Sequence, residues 1–208
     1  MSSNPATPLA PEPPRNKLSF EEFLAWSDGD CWAEWVDGEV VLMSPASPEH
    51  QRLLQFIYKL LDAWVQARRL GEVFVAPIAM KLASRPSGRE PDLLFVANAS
   101  ADRLRETYLD GPADLVVEII SPESEERDRV TKFLEYEAGG VPEYWLLDPA
   151  RREAYFYQRS ADERYHLQVP GPDGRYQTAA LAGFWLRPDW LWQRPLPPVA
   201  ELLAEIDA

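Results

Sequence analysis

The chain has 208 residues, 46% of them hydrophobic, with 34 acidic against 21 basic side chains and a formal net charge of −13. That length suits one globular domain with a sizeable core rather than two. The acidic balance excludes a protein that coats nucleic acid through bulk positive charge, but not an enzyme with a local basic groove or an acidic site neutralised by metal.

One cysteine, Cys31, excludes an internal disulfide and suits a reducing cytosol. No charged head followed by an apolar stretch opens the chain, and no run approaches the roughly 18 apolar residues of a membrane span. A cytoplasmic protein with no membrane segment is expected.

Residues 1–16 are rich in proline and small polar residues and read as a disordered tail. Order is expected from "LSFEEFLAW", where Ser19 and Glu22 have the spacing of a capping box. In "CWAEWVDGEVVLM", two apolar runs flank Asp37-Gly38, a strong hairpin signal. A long helix follows, with Ser47 as N-cap, Pro48 in its first turn and Gly71 as its stop. Leu53, Leu54, Ile57, Leu60, Leu61 and Trp64 give it one apolar stripe. Its basic residues, Arg52, Lys59, Arg68 and Arg69, read as a solvated face.

Strands are expected at 72–82, 91–97 and 114–120, then a helix in "SEERDRVTKFLEYEAGG" capped by Ser124 and stopped by Gly139-Gly140. The segments "PEYWLLDP", "EAYFYQR" and "RYHLQV" read as further strands, the last two as antiparallel additions. Residues 186–208 form a Trp- and Pro-rich extension ending in a short amphipathic helix, leaving 17–185 as the main domain. The strand–helix–strand unit over 114–148 within an otherwise meandering order predicts an α/β fold, a mixed sheet flanked by helices.

"DLVVEIISPES" sets Glu118 in the middle of a continuous apolar run, the signature of a strand covered on both faces. Ionised carboxylates are seldom buried unless paired or bound to metal. Asp92 opens another strand directly after Pro91. If the two strands are neighbours, the carboxylates converge, repel, and are reconciled by a hard divalent cation such as Mg²⁺, which takes one or two carboxylates, waters and phosphate oxygens. Lys132 and Tyr136 share a face of the next helix at i, i+4 spacing. A helix folding back over its strand would bring the lysine above that metal, to orient or deprotonate a bound water and neutralise charge on phosphate.

In order and spacing, "EWVDGEVVLMSPASPEH … PDLLFV … LVVEIISPES … K … Y … GVPEYWLLDP" resembles the Uma-type family of restriction endonucleases, within the PD-(D/E)XK nuclease superfamily. The resemblance covers residues 18 to 160. It implies a restriction-endonuclease-like fold and a DNA endonuclease that hydrolyses phosphodiester bonds with Mg²⁺, or Mn²⁺ in its place. Asp92 would be the aspartate of the "PD" and Glu118 the second acidic residue. The superfamily's lysine position, two residues after Glu118, holds Ile120 instead, and Lys132 matches a lysine displaced to the following helix. Glu34 matches the family's early glutamate, an extra metal ligand directly or through water. His50 matches its histidine, toward phosphate or the leaving group, and Tyr136 its tyrosine. Cutting both strands would favour a homodimer.

Two other classes stand beside this expectation. One is a non-catalytic module of the same fold that binds nucleic acid or a protein partner, which the acidic composition favours. The other is a two-carboxylate glycoside hydrolase, which leaves Lys132 without a role. His166, with no supporting partner in the sequence, reads as structural.

Overall fold

The computed structural model describes residues 12–27, 32–83, 86–122 and 124–208; residues 1–11 of the expected tail lie outside them. Helix α1 (Phe20–Ser27) opens the fold. Its capping box forms as the spacing predicts, Ser19 N–H donating to Glu22 at 2.7 Å and Glu22 N–H to Ser19 Oγ at 3.1 Å. Strands β1 (Ala33–Val36) and β2 (Glu39–Leu42) form the hairpin. Asp37 and Gly38 both take positive φ, at 51° and 90°, as a two-residue turn matched to strand twist requires.

The long helix α2 (Pro48–Arg68) starts at Ser47, whose side chain accepts the His50 N–H. Its end differs from the expected glycine stop. Arg69 takes the left-handed conformation, and the Leu70 N–H closes on Val65 O at 3.1 Å. Gly71 serves another need: a Cβ there would lie 2.1 Å from Val96 O, so its absence lets the next strand approach its partner.

The expected strand over 72–82 is two strands, β3 (Gly71–Val75) and β4 (Ala79–Leu82), separated at Ala76-Pro77 and assigned to different sheets. After β5 (Ser87–Arg89) and β6 (Leu93–Ala97) come a 3₁₀ turn and β7 (Tyr108–Asp110). Then follow β8 (Leu115–Ile119), a π-helical turn (Arg127–Lys132) running into α3 (Phe133–Gly139), and β9 (Glu143–Asp148). Gly140, at φ 83°, ends α3. Strands β10 (Glu153–Arg159) and β11 (Tyr165–Gln168) extend the sheet antiparallel to β9 and to one another, as expected. The pair β12 (Tyr176–Gln177) and β13 (Trp185–Leu186) and the helices α4 (Asp189–Trp192) and α5 (Val199–Ile206) finish the chain.

Two larger sheets result rather than one. The six-stranded sheet has the order β11-β10-β9-β8-β6-β3 and the five-stranded sheet β2-β1-β5-β4-β7. The crossover from β8 through α3 to β9 makes those two strands parallel, while β6 and β8 are antiparallel with Leu93 opposite Val117.

Strand alternation divides the core. Leu93, Phe95, Leu115, Val117 and Ile119 pack with the apolar stripe of α2. Leu94, Val96 and Val116 pack with Tyr136, Tyr144 and the Met80 and Leu82 side chains of the second sheet. The C-terminal extension belongs to the α2 side: Trp190, Leu191, Leu202 and Ile206 are buried in its cluster. Among the described residues no helix is long and apolar enough to cross a membrane.

Candidate active site

The register that pairs Leu93 with Val117 brings Asp92 opposite Glu118. Alternation turns Glu118 away from the α2 stripe, toward α3 and the second sheet, while Asp92, just ahead of β6, reaches His50 at the start of α2. The Ile119 N–H donates to Asp92 Oδ2 at 2.7 Å, tying the head of β6 to the end of β8. The same oxygen accepts from His50 Nε2 at 3.1 Å. A carboxylate only accepts, so Nε2 carries the proton. Burial would lower the His50 pKa, but the Asp92 hydrogen bond and charge outweigh it and raise it.

Glu118 receives two donors from one helix face. Lys132 Nζ lies 2.8 Å and Tyr136 Oη 2.6 Å from its Oε1. Lys132 is itself 99% buried, 2.9 Å from Glu34 Oε1 and 3.5 Å from Asp128 Oδ1. Burial alone would lower the Lys132 pKa, yet Glu118, Glu34 and Asp128 raise it, so the ammonium stays charged. Arg89 completes the support: Nη1 donates to Glu34 Oε2 at 2.7 Å, and Nε and Nη2 make a two-pronged contact with Glu135 at 2.6 and 2.9 Å.

Negative charge here exceeds what these cations neutralise. Burial pushes Glu118 up to about 8 against the pull of Lys132, with Asp128, Asp92 and Glu34 pushing the same way. Glu90 rises to about 8 through burial and the Glu34 charge. Asp128 is raised, chiefly by burial. Glu34 goes the other way: burial opposes, but Lys132 and Arg89 hold it down to about 2.

Glu90, Asp92, Glu118 and Asp128 line one cleft of about 240 Å³, with His50, Lys132 and Arg127. Trp32, Leu42, Met43 and Pro45 form an apolar wall. Glu90 Oε2 and Asp128 Oδ1 are buried without a hydrogen-bond partner. Hard oxygen donors in negative excess suit a hard divalent cation. Among the described residues no group of three or more His, Cys, Asp or Glu is gathered to cage a metal. Asp92 and Glu118 are a carboxylate pair of the kind a hard cation such as Mg²⁺ takes when water and substrate oxygens complete its shell.

A sequence model of the Uma2 family, described as "Putative restriction endonuclease", matches residues 20–189. The chain belongs to the Uma2 family. Uma2 membership assigns it a nuclease-like role at the level of the family. The uncharacterized protein sll1609 of Synechocystis sp. (strain ATCC 27184 / PCC 6803 / Kazusa) is 25% identical over 136 residues, 65% of this chain and 76% of that protein. In fold, the chain is similar to the crystal structure of "a putative nuclease belonging to DUF820" from Anabaena variabilis ATCC 29413. The TM-score is 0.69 at 16% identity, over 84% of this chain and 97% of that one. The fold class is thus the expected one, α/β and restriction-endonuclease-like.

Of the residues singled out in the sequence, Asp92, Glu118, Lys132 and His50 meet at the cleft, and Tyr136 touches Glu118 from behind. Glu34 is fully buried and does not line the cleft; its oxygens face Lys132 and Arg89, so it stands behind the lysine. His166 is exposed and pairs with Asp162. Sequence reasoning missed Glu90, Asp128, Arg89 and Arg127. Asp128 had a signal, four residues before Lys132 as Tyr136 is four after. Asp128 and Lys132 both lie on the π-helical turn, a feature frequent at functional sites, with Asp128 Oδ1 3.5 Å from Lys132 Nζ.

Proposed function

We propose that the chain is a Mg²⁺-dependent endonuclease hydrolysing phosphodiester bonds in DNA, with Mn²⁺ able to replace Mg²⁺. One observation carries the reading: Asp92 and Glu118 face a single cleft from adjacent strands, with Lys132 Nζ 2.8 Å from Glu118. The family match supports a nucleic-acid substrate.

Asp92 and Glu118 would hold the ion, with Glu90 and Asp128 as further oxygens of the same cleft. When bound, a divalent cation supplies Lewis-acid stabilisation of phosphate charge and a water of lowered pKa. The protein's own groups supply position. The Ile119 amide and His50 fix Asp92, and Tyr136 fixes Glu118. Glu34, itself held by Arg89, helps Glu118 and Asp128 keep the Lys132 ammonium charged, and the ammonium stays on Glu118, where it neutralises charge gathering on the phosphate. A homodimer that cuts both strands and a cytoplasmic setting complete the proposal; sedimentation tests the first.

The test is cleavage of single-stranded, duplex and supercoiled DNA with Mg²⁺ or Mn²⁺. Cleavage is expected to stop in chelator and in Asp92→Asn protein of unchanged melting temperature. Cleavage that persists in either rejects the proposal. A second reading, a non-catalytic module binding nucleic acid or a protein partner, is favoured by the hydrogen bonds that Asp92 and Glu118 already make within the protein. It predicts DNA or protein binding with no cleavage under any divalent cation.

A further inference from the structure

The cleft contains donors as well as carboxylates, and most of its cations are committed. Lys132 is shared among Glu118, Glu34 and Asp128, and His50 is bound to Asp92. Arg127 differs. It lines the cleft, its Nε is buried without a hydrogen-bond partner, and its nearest carboxylate, Asp128, is 3.9 Å away. Trp32 lines the same cleft, and its indole N–H, a group that can only donate, is also buried without an acceptor.

Buried N–H groups are rarely left unpaired. Two orphaned donors beside a floor of carboxylates call for a ligand that accepts from above. Its charge must be tolerated next to Glu90, Asp92, Glu118 and Asp128. A phosphodiester meets both conditions once a cation lies on the carboxylates.

We propose that Arg127 and Trp32 form a phosphate clamp at the cleft, taking the non-bridging oxygens of a DNA phosphodiester. This rests on the nuclease reading of the cleft. Arg127 also borders a second hollow of about 410 Å³ that carries Lys17 and Thr131 together with Asp37 and Glu39, so its side chain stands between the two. The clamp places the phosphate at Arg127 rather than on the exposed Arg52 and Lys59 of α2, which border a separate hollow.

The experiment is equilibrium binding of a short fluorescein-labelled DNA, single-stranded and duplex, with Ca²⁺ replacing Mg²⁺, followed over a salt series. Wild-type protein is expected to bind, and Arg127→Gln to bind about tenfold more weakly. The slope of log affinity against log salt should be shallower by about 0.7 to 0.9, one phosphate's worth of counterions. Arg127→Lys should restore the slope, and Trp32→Phe should weaken binding without changing it. Lys59→Gln should change neither.

Equal affinity and slope for wild type and Arg127→Gln, an effect confined to Lys59→Gln, or no binding by wild type overturns the clamp. Arg127-dependent binding without metal-dependent cleavage would overturn the nuclease reading and leave the clamp standing. Cleavage with binding indifferent to Arg127 does the reverse.

Discussion

The Lys132 ammonium lies 2.8 Å from the Glu118 carboxylate, and the two side chains are almost wholly withdrawn from solvent. The pair joins a strand to the helix that follows it, so the helix docks on the sheet through a charge as well as through apolar contacts. Taking two ions out of water is unfavourable unless each finds several partners. Here Glu118 also accepts from Tyr136, and Lys132 also meets Glu34 and Asp128.

Removing the lysine is therefore expected to cost more than removing a surface charge. Lys132→Met leaves Glu118 and Glu34 buried without their shared cation. It should destabilise metal-free protein by about 3–5 kcal/mol, read from urea unfolding. Mn²⁺ should return part of that loss by binding the native state alone. A loss under about 1 kcal/mol, the range of exposed pairs, would contradict the arrangement.

Stability should fall as the pH rises in chelator-treated protein. Burial pushes Glu118 up to about 8, Lys132 resisting and the neighbouring carboxylates assisting, and burial with the Glu34 charge does the same to Glu90, from an ordinary value of 4.5. The native state then holds protons that the unfolded chain has released. This stability is fully present below the unfolded value and is lost as the pH rises through about 8. Glu34 has the opposite sign: burial opposes, Lys132 and Arg89 prevail, and it is held at about 2. Its contribution is present above 4.5 and lost as the pH falls through about 2. Melting temperature should decline between about pH 5 and 9, and Glu118→Gln and Glu90→Gln should each flatten the decline. A level profile in wild type would show the carboxylates to be less confined than described.

Glu143, which does not line the cleft, offers a test of the fold alone. Fully buried on β9, it accepts from Trp145 Nε1, Tyr176 Oη and Thr178 Oγ1, and from the Ala179 and Ala180 amides. It thereby anchors the turn between β12 and β13 to the sheet. Glu143→Gln turns an amide N–H₂ toward some of these donors and should cost about 2–4 kcal/mol, with faster hydrogen exchange at Ala179 and Ala180. Unchanged exchange at those amides would refute the anchor.

Much of the site was legible because local pattern and chemistry agreed. Pro91-Asp92 ahead of one apolar run and Glu118 within another marked two carboxylates that needed partners. The i, i+4 spacing of Lys132 and Tyr136 put both on the face that reaches Glu118. What stayed hidden depends on pairings between distant segments. Arg89 reads as a loop charge until β5 sits between β1 and β4, where its guanidinium meets Glu34 and Glu135. Glu90, beside a proline, has the look of a turn residue. The division into two sheets was equally silent, since no local period tells β3 and β4 which neighbours they will take. Gly71 looked like a helix stop, but close approach to β6 is what uses it.

Calorimetric titration of Mn²⁺ into chelator-treated wild type and Glu118→Gln asks whether Asp92 and Glu118 hold a divalent cation. The wild type is expected to bind and the variant not to. Equal heats in both proteins, or no binding by the wild type even with DNA present, would contradict it.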